Sequence, residues 1–227
     1  MQTKHYLFIS LLFFTLNTFA DDGLKFSELR VLLMTNTFGS APAALNNLTA
    51  PDNVDALDTI YGIGIEADAR YKWVKIGTRF KGVLMSKSAP NAPSNSSVGL
   101  TVGQYSGGVL ARVPVTEQDH VNFDVLAEVG AANTKIDVET SSSGKGTFSK
   151  DAGVFARAGA SVGVGWPTFK FYVEAGQEWN NLTDLKFEGT LTNNVREVDF
   201  SGPYVSVGMI FSGIPSWITP GGITFGK

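Results

Sequence analysis

Apolar and polar residues alternate with a period of two, and the pattern recurs eight times between residues 25 and 211. That period places successive side chains on opposite faces of a strand. The segments are Lys25–Thr37, Thr59–Arg70, Val74–Leu84, Val98–Val113, His120–Asn133, Ala152–Gly165, Phe169–Glu178 and Val198–Phe211. In the fifth, Val121, Phe123, Val125, Ala127, Val129 and Ala131 share one face, and Asn122, Asp124, Glu128 and Gly130 the other. After residue 20 no apolar pattern repeats every three or four positions, so the chain reads as all-β. One stretch tests this reading. Tyr61–Arg70, YGIGIEADAR, contains Gly62-x-Gly64-x-x-Ala67, the spacing of a dinucleotide-binding turn. Such a turn must open a helix. Here the alternation continues from Tyr61 through Ala69 and resumes at Val74, so the stretch is a strand.

The connections alternate between long and short. Residues 37–58, 85–97, 134–151 and 179–197 are long, with compositions such as MSKSAPNAPSNSS and SSSGKG. Residues 71–73, 114–119 and 166–168 are short. Strict alternation collects the short turns at one end and the long loops at the other. Outer-membrane barrels have this asymmetry, with short periplasmic turns and long extracellular loops. The expected fold is an all-β, eight-stranded antiparallel up-and-down transmembrane β-barrel.

The first twenty residues read differently. Lys4 and His5 precede an apolar run, Tyr6–Phe19, that closes on Thr18-Phe19-Ala20. This is the layout of a secretory signal peptide cut after Ala20, and the run is too short for a spanning helix. The expected organisation is 1–20 signal peptide, 21–211 outer-membrane barrel and 212–227 C-terminal tail. Losing Lys4 reduces 18 basic residues to 17 against 21 acidic, a net charge of −4. No basic tract remains, which argues against a nucleic-acid partner. The absence of cysteine excludes disulfides and thiolate chemistry.

Polarity decides which face points inward. A soluble barrel hides its apolar face, and a membrane barrel hides its polar one. The polar faces here carry both signs: Glu28, Glu66, Asp68, Asp124, Glu128, Glu174 and Glu178 against Arg30, Arg70, Lys75, Arg79, Lys81, Arg112, Arg157 and Lys170. Glycine accompanies them, weakening a solvated strand but making room in a narrow lumen. Hairpin registers pair opposite charges. Trp166 against Phe169 sets Arg157 beside Glu178. Tyr71 against Val74 sets Glu66 beside Arg79, or after a shift of two Asp68 beside Lys75. Val113 against Phe123 sets Arg112 beside Asp124. Aromatic residues fall at strand ends, with Tyr71, Trp73, Trp166, Phe169 and Phe211 toward the short turns and Tyr61, Phe80 and Phe200 toward the loops. Interface girdles have this distribution. The expected lumen charge network is Glu66, Asp68, Arg70, Lys75, Arg79, Arg112, Asp124, Glu128, Arg157, Glu174 and Glu178, with Tyr172 a further candidate to fill the lumen.

With eight dyad strands, this loop asymmetry and a last strand YVSVGMIF closing on Phe211, the chain resembles the small outer-membrane barrels of the OmpA transmembrane domain and OmpX group. The resemblance covers nearly all of the chain after residue 20. It implies outer-membrane lipid and the outer-membrane assembly machinery as partners. Family members end on that aromatic, whereas SGIPSWITPGGITFGK follows here. Lipid A deacylases and palmitoyltransferases are similar barrels that use a catalytic histidine at the extracellular side. Beyond His5, this chain has only His120, beside a short turn, so no enzymatic activity is expected. Asp52, Asp55 and Asp58 share one loop but lack a calcium-loop pattern, and no metal or cofactor is expected. The sequons at Asn47, Asn95 and Asn181 read as polar loop residues. The expectation is an occluded barrel in a structural or surface-interaction role, with an unidentified extracellular partner. The alternatives are a narrow channel for small solutes and a soluble periplasmic ligand-binding barrel.

Overall fold

The computed structural model describes residues 25–37, 43–89, 98–142, 144–191 and 195–212. The expected signal peptide, 1–20, and the tail beyond Ser212 lie outside these residues. In chain order the elements are β1 (Lys25–Thr37), α1 (Ala43–Thr49), β2 (Thr59–Tyr71), β3 (Val74–Ser88), β4 (Gly99–Glu117), β5 (Val121–Thr140), β6 (Gly144–Trp166) and β7 (Phe169–Trp179). They are followed by β8 (Asn181–Leu182), β9 (Lys186–Gly189), β10 (Val198–Asp199) and β11 (Gly202–Ser212). Strands β1 to β7 and β11 pair antiparallel with their neighbours, and β11 returns to β1. The closed ring satisfies every ladder without leaving an edge at membrane depth.

Two-residue turns set the hairpins. Tyr71 pairs with Val74 around Lys72, which takes the left-handed φ of 55° that such turns favour. Trp166 pairs with Phe169 around Pro167-Thr168. Glu66 therefore faces Arg79, Arg157 faces Glu178, and Asp68 faces Gly77 rather than Lys75. The β4–β5 hairpin corrects the sequence reading. Pairing continues to Glu117 and Asn122, beyond the expected end of the strand, and a bulge between Pro114 and Thr116 takes up one residue of that difference, so that Val113 pairs with Val125, Arg112 with Leu126 and Pro114 with Asp124.

The long connections also need correction. Residues 134–151 are no loop: β5 runs to Thr140 and β6 starts at Gly144, paired throughout. Residues 179–197 contain β8 and β9, and the expected last strand divides into β10, paired with β8, and β11. Phe200 is fully buried in the loop region and forms no part of a lipid girdle.

Polarity inverts partway along the strands. In the lower part of β5, Val121, Val125 and Val129 point outward while Asp124 and Glu128 are buried. Above Asn133, Ile136 and Val138 turn inward and Lys135, Asp137 and Glu139 outward. On β6 the same inversion occurs beside Ala152 (φ 56°), where two residues oppose Asn133, and the Asn133 amide oxygen accepts the Ala152 N–H at 2.9 Å. Bulges of this kind re-aim side chains. From Val121 to Ala131 the outward-apolar stretch of β5 is eleven residues, the length a tilted strand needs to cross a bilayer.

Above the inversion the interior is an ordinary apolar core. Ile60, Val83, Leu100, Val102, Ile136, Val138 and Phe148 supply its walls, and the connections fill it: Leu45 of α1, Leu57, Leu182, Leu185, Leu191, Val195, Val198 and Phe200. The loops therefore fold over the barrel mouth. Asp52 ties the first connection to the β5–β6 tip by accepting the Ser141 N–H at 3.1 Å and its hydroxyl. The Asn180 N–H donates to the Ser201 hydroxyl at 2.9 Å and holds the last connection.

Two expected outcomes follow. Phe148→Ala deletes a fully buried ring, a loss of about 3–5 kcal/mol in a packed core. It should make residues 43–58 and 180–200 sensitive to protease while the barrel keeps its heat-modifiable gel migration. On the outer face above the inversion, partial burial would raise the Asp137 carboxyl, but Lys135 at 2.8 Å and the Thr147 hydroxyl at 2.6 Å outweigh it and hold it below the usual aspartate range. A lowered folded value stabilises above the unfolded pKa, and that contribution is lost as pH falls through the folded one. Lys135→Ala should raise the Asp137 midpoint in carboxyl-resolved NMR.

Candidate functional site

The lower lumen is built from the polar faces of all eight barrel strands. Seven carboxylates are buried there (Glu28, Glu66, Asp68, Asp124, Glu128, Glu174 and Glu178), with seven cations (Arg30, Lys75, Arg79, Lys81, Arg112, Arg157 and Lys170). The formal charges cancel. Exact balance matters because a buried charge without a partner costs several kcal/mol.

At the centre, Glu66, Glu174, Arg79 and Arg112 join β2, β7, β3 and β4. Glu66 accepts from Arg79 at 2.6 Å and from Arg112 at 2.6 Å. Glu174 accepts from the same two guanidinium groups at 2.8 and 2.6 Å. All four are fully buried. The planar guanidinium fork suits this arrangement, because each arginine can donate to two carboxylates at once.

Smaller groups flank the centre. Toward the short turns, Arg30 donates to Glu28 at 2.7 Å and Asp124 at 3.0 Å, and approaches Asp68 at 3.8 Å. Lys75 donates to Glu28 at 2.7 Å and reaches Glu117 at 3.1 Å. Toward the loops, Arg79 donates to Glu128 at 3.2 Å and Lys81 stands 3.6 Å from it. Arg157 forms an ion pair with Glu178 and lies 4.6 Å from the Tyr204 ring centre. Arg30 likewise faces Tyr172 at 5.2 Å, and Lys81 faces Phe155 at 4.0 Å, as cation–π pairs.

Glycines make this density possible. A Cβ at Gly77 would sit on the Asp68 carboxylate, and one at Gly108 would come within 2.8 Å of the Glu128 carboxylate. Neither position takes a side chain without displacing a charged group.

Ten of the eleven residues expected from the sequence enter this network. Arg70 lies at its rim, half-exposed at the short-turn mouth, where Glu117 joins it to Lys75. Asp124 pairs with Arg30 across the lumen, and Arg112 bonds Glu66 and Glu174, since the β4–β5 register sets Arg112 opposite Leu126 and not opposite Asp124. Glu28, Arg30, Lys81 and Lys170 shared the polar faces in the sequence but had no turn to assign them partners. Tyr204 carried no charge pattern to flag it. His120 lies at an exposed turn, its Nδ1 2.8 Å from the Gly165 carbonyl oxygen. Among the described residues no group of three or more His, Asp or Glu is placed to hold a metal ion.

Outside, the wall is apolar. Leu33, Ile63, Ile65, Val109, Val129, Val154 and Val173 are each exposed. Tyr71, Trp73 and Trp166 ring the short-turn end, and Tyr61, Tyr105 and Trp179 the loop end. Exposed valines outside and buried arginines inside reverse the order of a soluble barrel. They exclude the reading as a soluble ligand-binding barrel. Fold and polarity define a small transmembrane β-barrel of the outer-membrane kind. No protein-family model and no curated protein sequence matches the chain. Among solved structures it is similar to Neisserial surface protein A (14% identity, TM-score 0.47, 83% of this chain and 97% of that one). It is also similar to Ail, the attachment invasion locus protein of Yersinia pestis (12%, 0.41, 83% and 99%). A third is the outer membrane protease OmpT of Escherichia coli (8%, 0.40, 84% and 96%).

Arg112→Ala leaves Glu66 and Glu174 each short of a buried partner, and should destabilise the barrel by about 3–5 kcal/mol in urea unfolding from lipid vesicles. Arg157→Ala, which strands Glu178, should lower thermal stability in the same direction. Arg70→Ala, which breaks a half-exposed pair, should cost about 0–1 kcal/mol.

Proposed function

We propose that this protein is an occluded outer-membrane barrel with a structural or surface-interaction role. It presents its folded extracellular cap outward and passes no solute through its wall. The observation that carries this reading is the double closure of the lumen. A neutral, ion-paired layer fills the membrane-depth half. An apolar core of inward strand residues and loop residues fills the half above it. Eight strands enclose little more space than side chains fill, which supports an occluded lumen, as does the apolar packing of the upper half.

Catalysis is not part of the proposed role. The cap offers no histidine, and among the described residues no cluster is placed for metal chemistry. Residues 1–20 would direct export and then be removed. The last strand, with Val205, Val207, Met209 and Phe211 in alternating positions, would be read by the outer-membrane assembly machinery. Nucleic acid has no basic surface to bind.

Planar-bilayer recordings test the reading. Purified protein should give no steady single-channel conductance, and Phe148→Ala, which opens only the upper seal, should stay silent because the charged layer remains. Steady conductance from the wild type would establish the narrow-channel alternative.

A further inference from the structure

The lipid-facing wall is not uniform. Across β1 to β4 one outward row reads Leu33, Ile63, Gly82, Tyr105 in consecutive register. The next row toward the cap passes through Leu84, Gly103 and Lys135. Gly82 lines a groove of about 550 Å³ between Tyr61, Ile63, Leu84 and Tyr105, mostly apolar in its lining and within the size range of small-molecule sites, and Gly103 lines the depression next to it.

These two glycines have no packing reason to be glycine. A Cβ at Gly82 would come no nearer than 3.6 Å to any neighbour, and one at Gly103 no nearer than 4.0 Å. The inward glycines of the same wall differ: at Gly62 and Gly64 a Cβ would lie 2.7 Å from a carbonyl oxygen. Glycine in a strand interior weakens the strand and commonly marks a site of close approach by a ligand. Gly82 and Gly103 open the wall at the depth of the Tyr61 and Tyr105 belt.

The groove continues upward onto a polar shelf. A second depression, of about 450 Å³, shares Leu84 and Tyr105 with the first and is lined by Thr101, Asn133, Thr147 and Ser149. Its lysines are already paired. Lys135 is bonded to Asp137 at 2.8 Å and Lys186 to Asp151 at 2.9 Å, which leaves the Glu188 carboxylate in excess. Such a shelf disfavours a phosphate and suits hydroxyl groups, which both donate and accept.

We propose that this wall is a binding site for a glycolipid of the surrounding leaflet. One acyl chain lies over Gly82 and Gly103, and an uncharged sugar headgroup rests on the hydroxyl- and amide-lined shelf. Continuity with the lipid-facing band makes hydrocarbon the occupant of the lower half, and the paired lysines with the excess Glu188 carboxylate select an uncharged headgroup. The site requires the membrane orientation of the barrel but not a closed lumen, so a conducting barrel would leave it standing.

Gly82→Val tests the site because the added side chain fits the strand and fills only the groove. Delipidated wild type and variant, in polyoxyethylene detergent micelles, are offered a synthetic diglucosyl diacylglycerol with phosphatidylglycerol of equal chain length as competitor. Bound lipid is read by native mass spectrometry. The expected result is one glycolipid retained per wild-type chain and little phosphatidylglycerol. The variant should bind about tenfold more weakly, the effect of displacing about two buried methylenes, with unchanged heat-modifiable migration. Gly103→Val should behave alike and serves if Gly82→Val fails to fold. Equal retention of both lipids by the wild type, no retention at all, or equal glycolipid binding by wild type and a folded variant would overturn the proposal.

Discussion

Neutralising charge inside a closed wall is the constraint on which the rest of this structure depends. Seven carboxylates and seven cations are buried at membrane depth, where an unpaired ion is far costlier than at a surface. Each therefore needs a partner within reach: Lys170 finds the Gln118 carbonyl oxygen at 2.9 Å, and apart from Glu28 and Arg30 within β1 their ion pairs join different strands. Glu66 on β2 binds arginines from β3 and β4, and those arginines also bind Glu174 on β7. A one-residue slip at any of these strands would turn its charged face to lipid. The ion pairs thus specify the register that the hairpin turns begin. The glycines follow from the same constraint, because long side chains from opposite walls meet only where a neighbour gives up its own, as Gly77 does for Asp68.

The inversion of polarity along the strands expresses a change of solvent. At membrane depth the outer face meets hydrocarbon and must be apolar, which frees the inner face to carry charge. Above the membrane the outer face meets water, so it becomes Lys135, Asp137 and Glu139 while the inner face becomes Ile136 and Val138. One chain thereby builds two kinds of core in a single sheet. The join lies at the bulge beside Ala152. Loops fold onto the upper core because its inward wall would otherwise expose a large apolar surface to water.

Pairings across two-residue turns were legible in the sequence. Trp166 against Phe169 leaves no freedom, so Arg157 and Glu178 could be matched by counting, and so could Glu66 and Arg79. Counting failed at Arg112 and Asp124, because β4 runs on to Glu117 before the chain turns and the bulge at Val115 takes back only one residue of that difference. The bonds from Arg30 to Asp124 and from Arg112 to Glu174 join strands that are not neighbours, and no local pattern can express them. The cap was missed for a related reason. Leu45, Leu57, Leu182, Leu185 and Leu191 are isolated among polar residues at no fixed period, so the connections read as solvated loops.

The alternation of side chains by itself determined the strands, their two faces and the sorting of turns and loops, because these depend on local period and on turn chemistry. Which charges meet, where polarity inverts and how the mouth is covered were decided only by closing the ring. Closure brings β1 against β11 and sets opposite walls within hydrogen-bond distance, and those contacts join residues far apart along the chain.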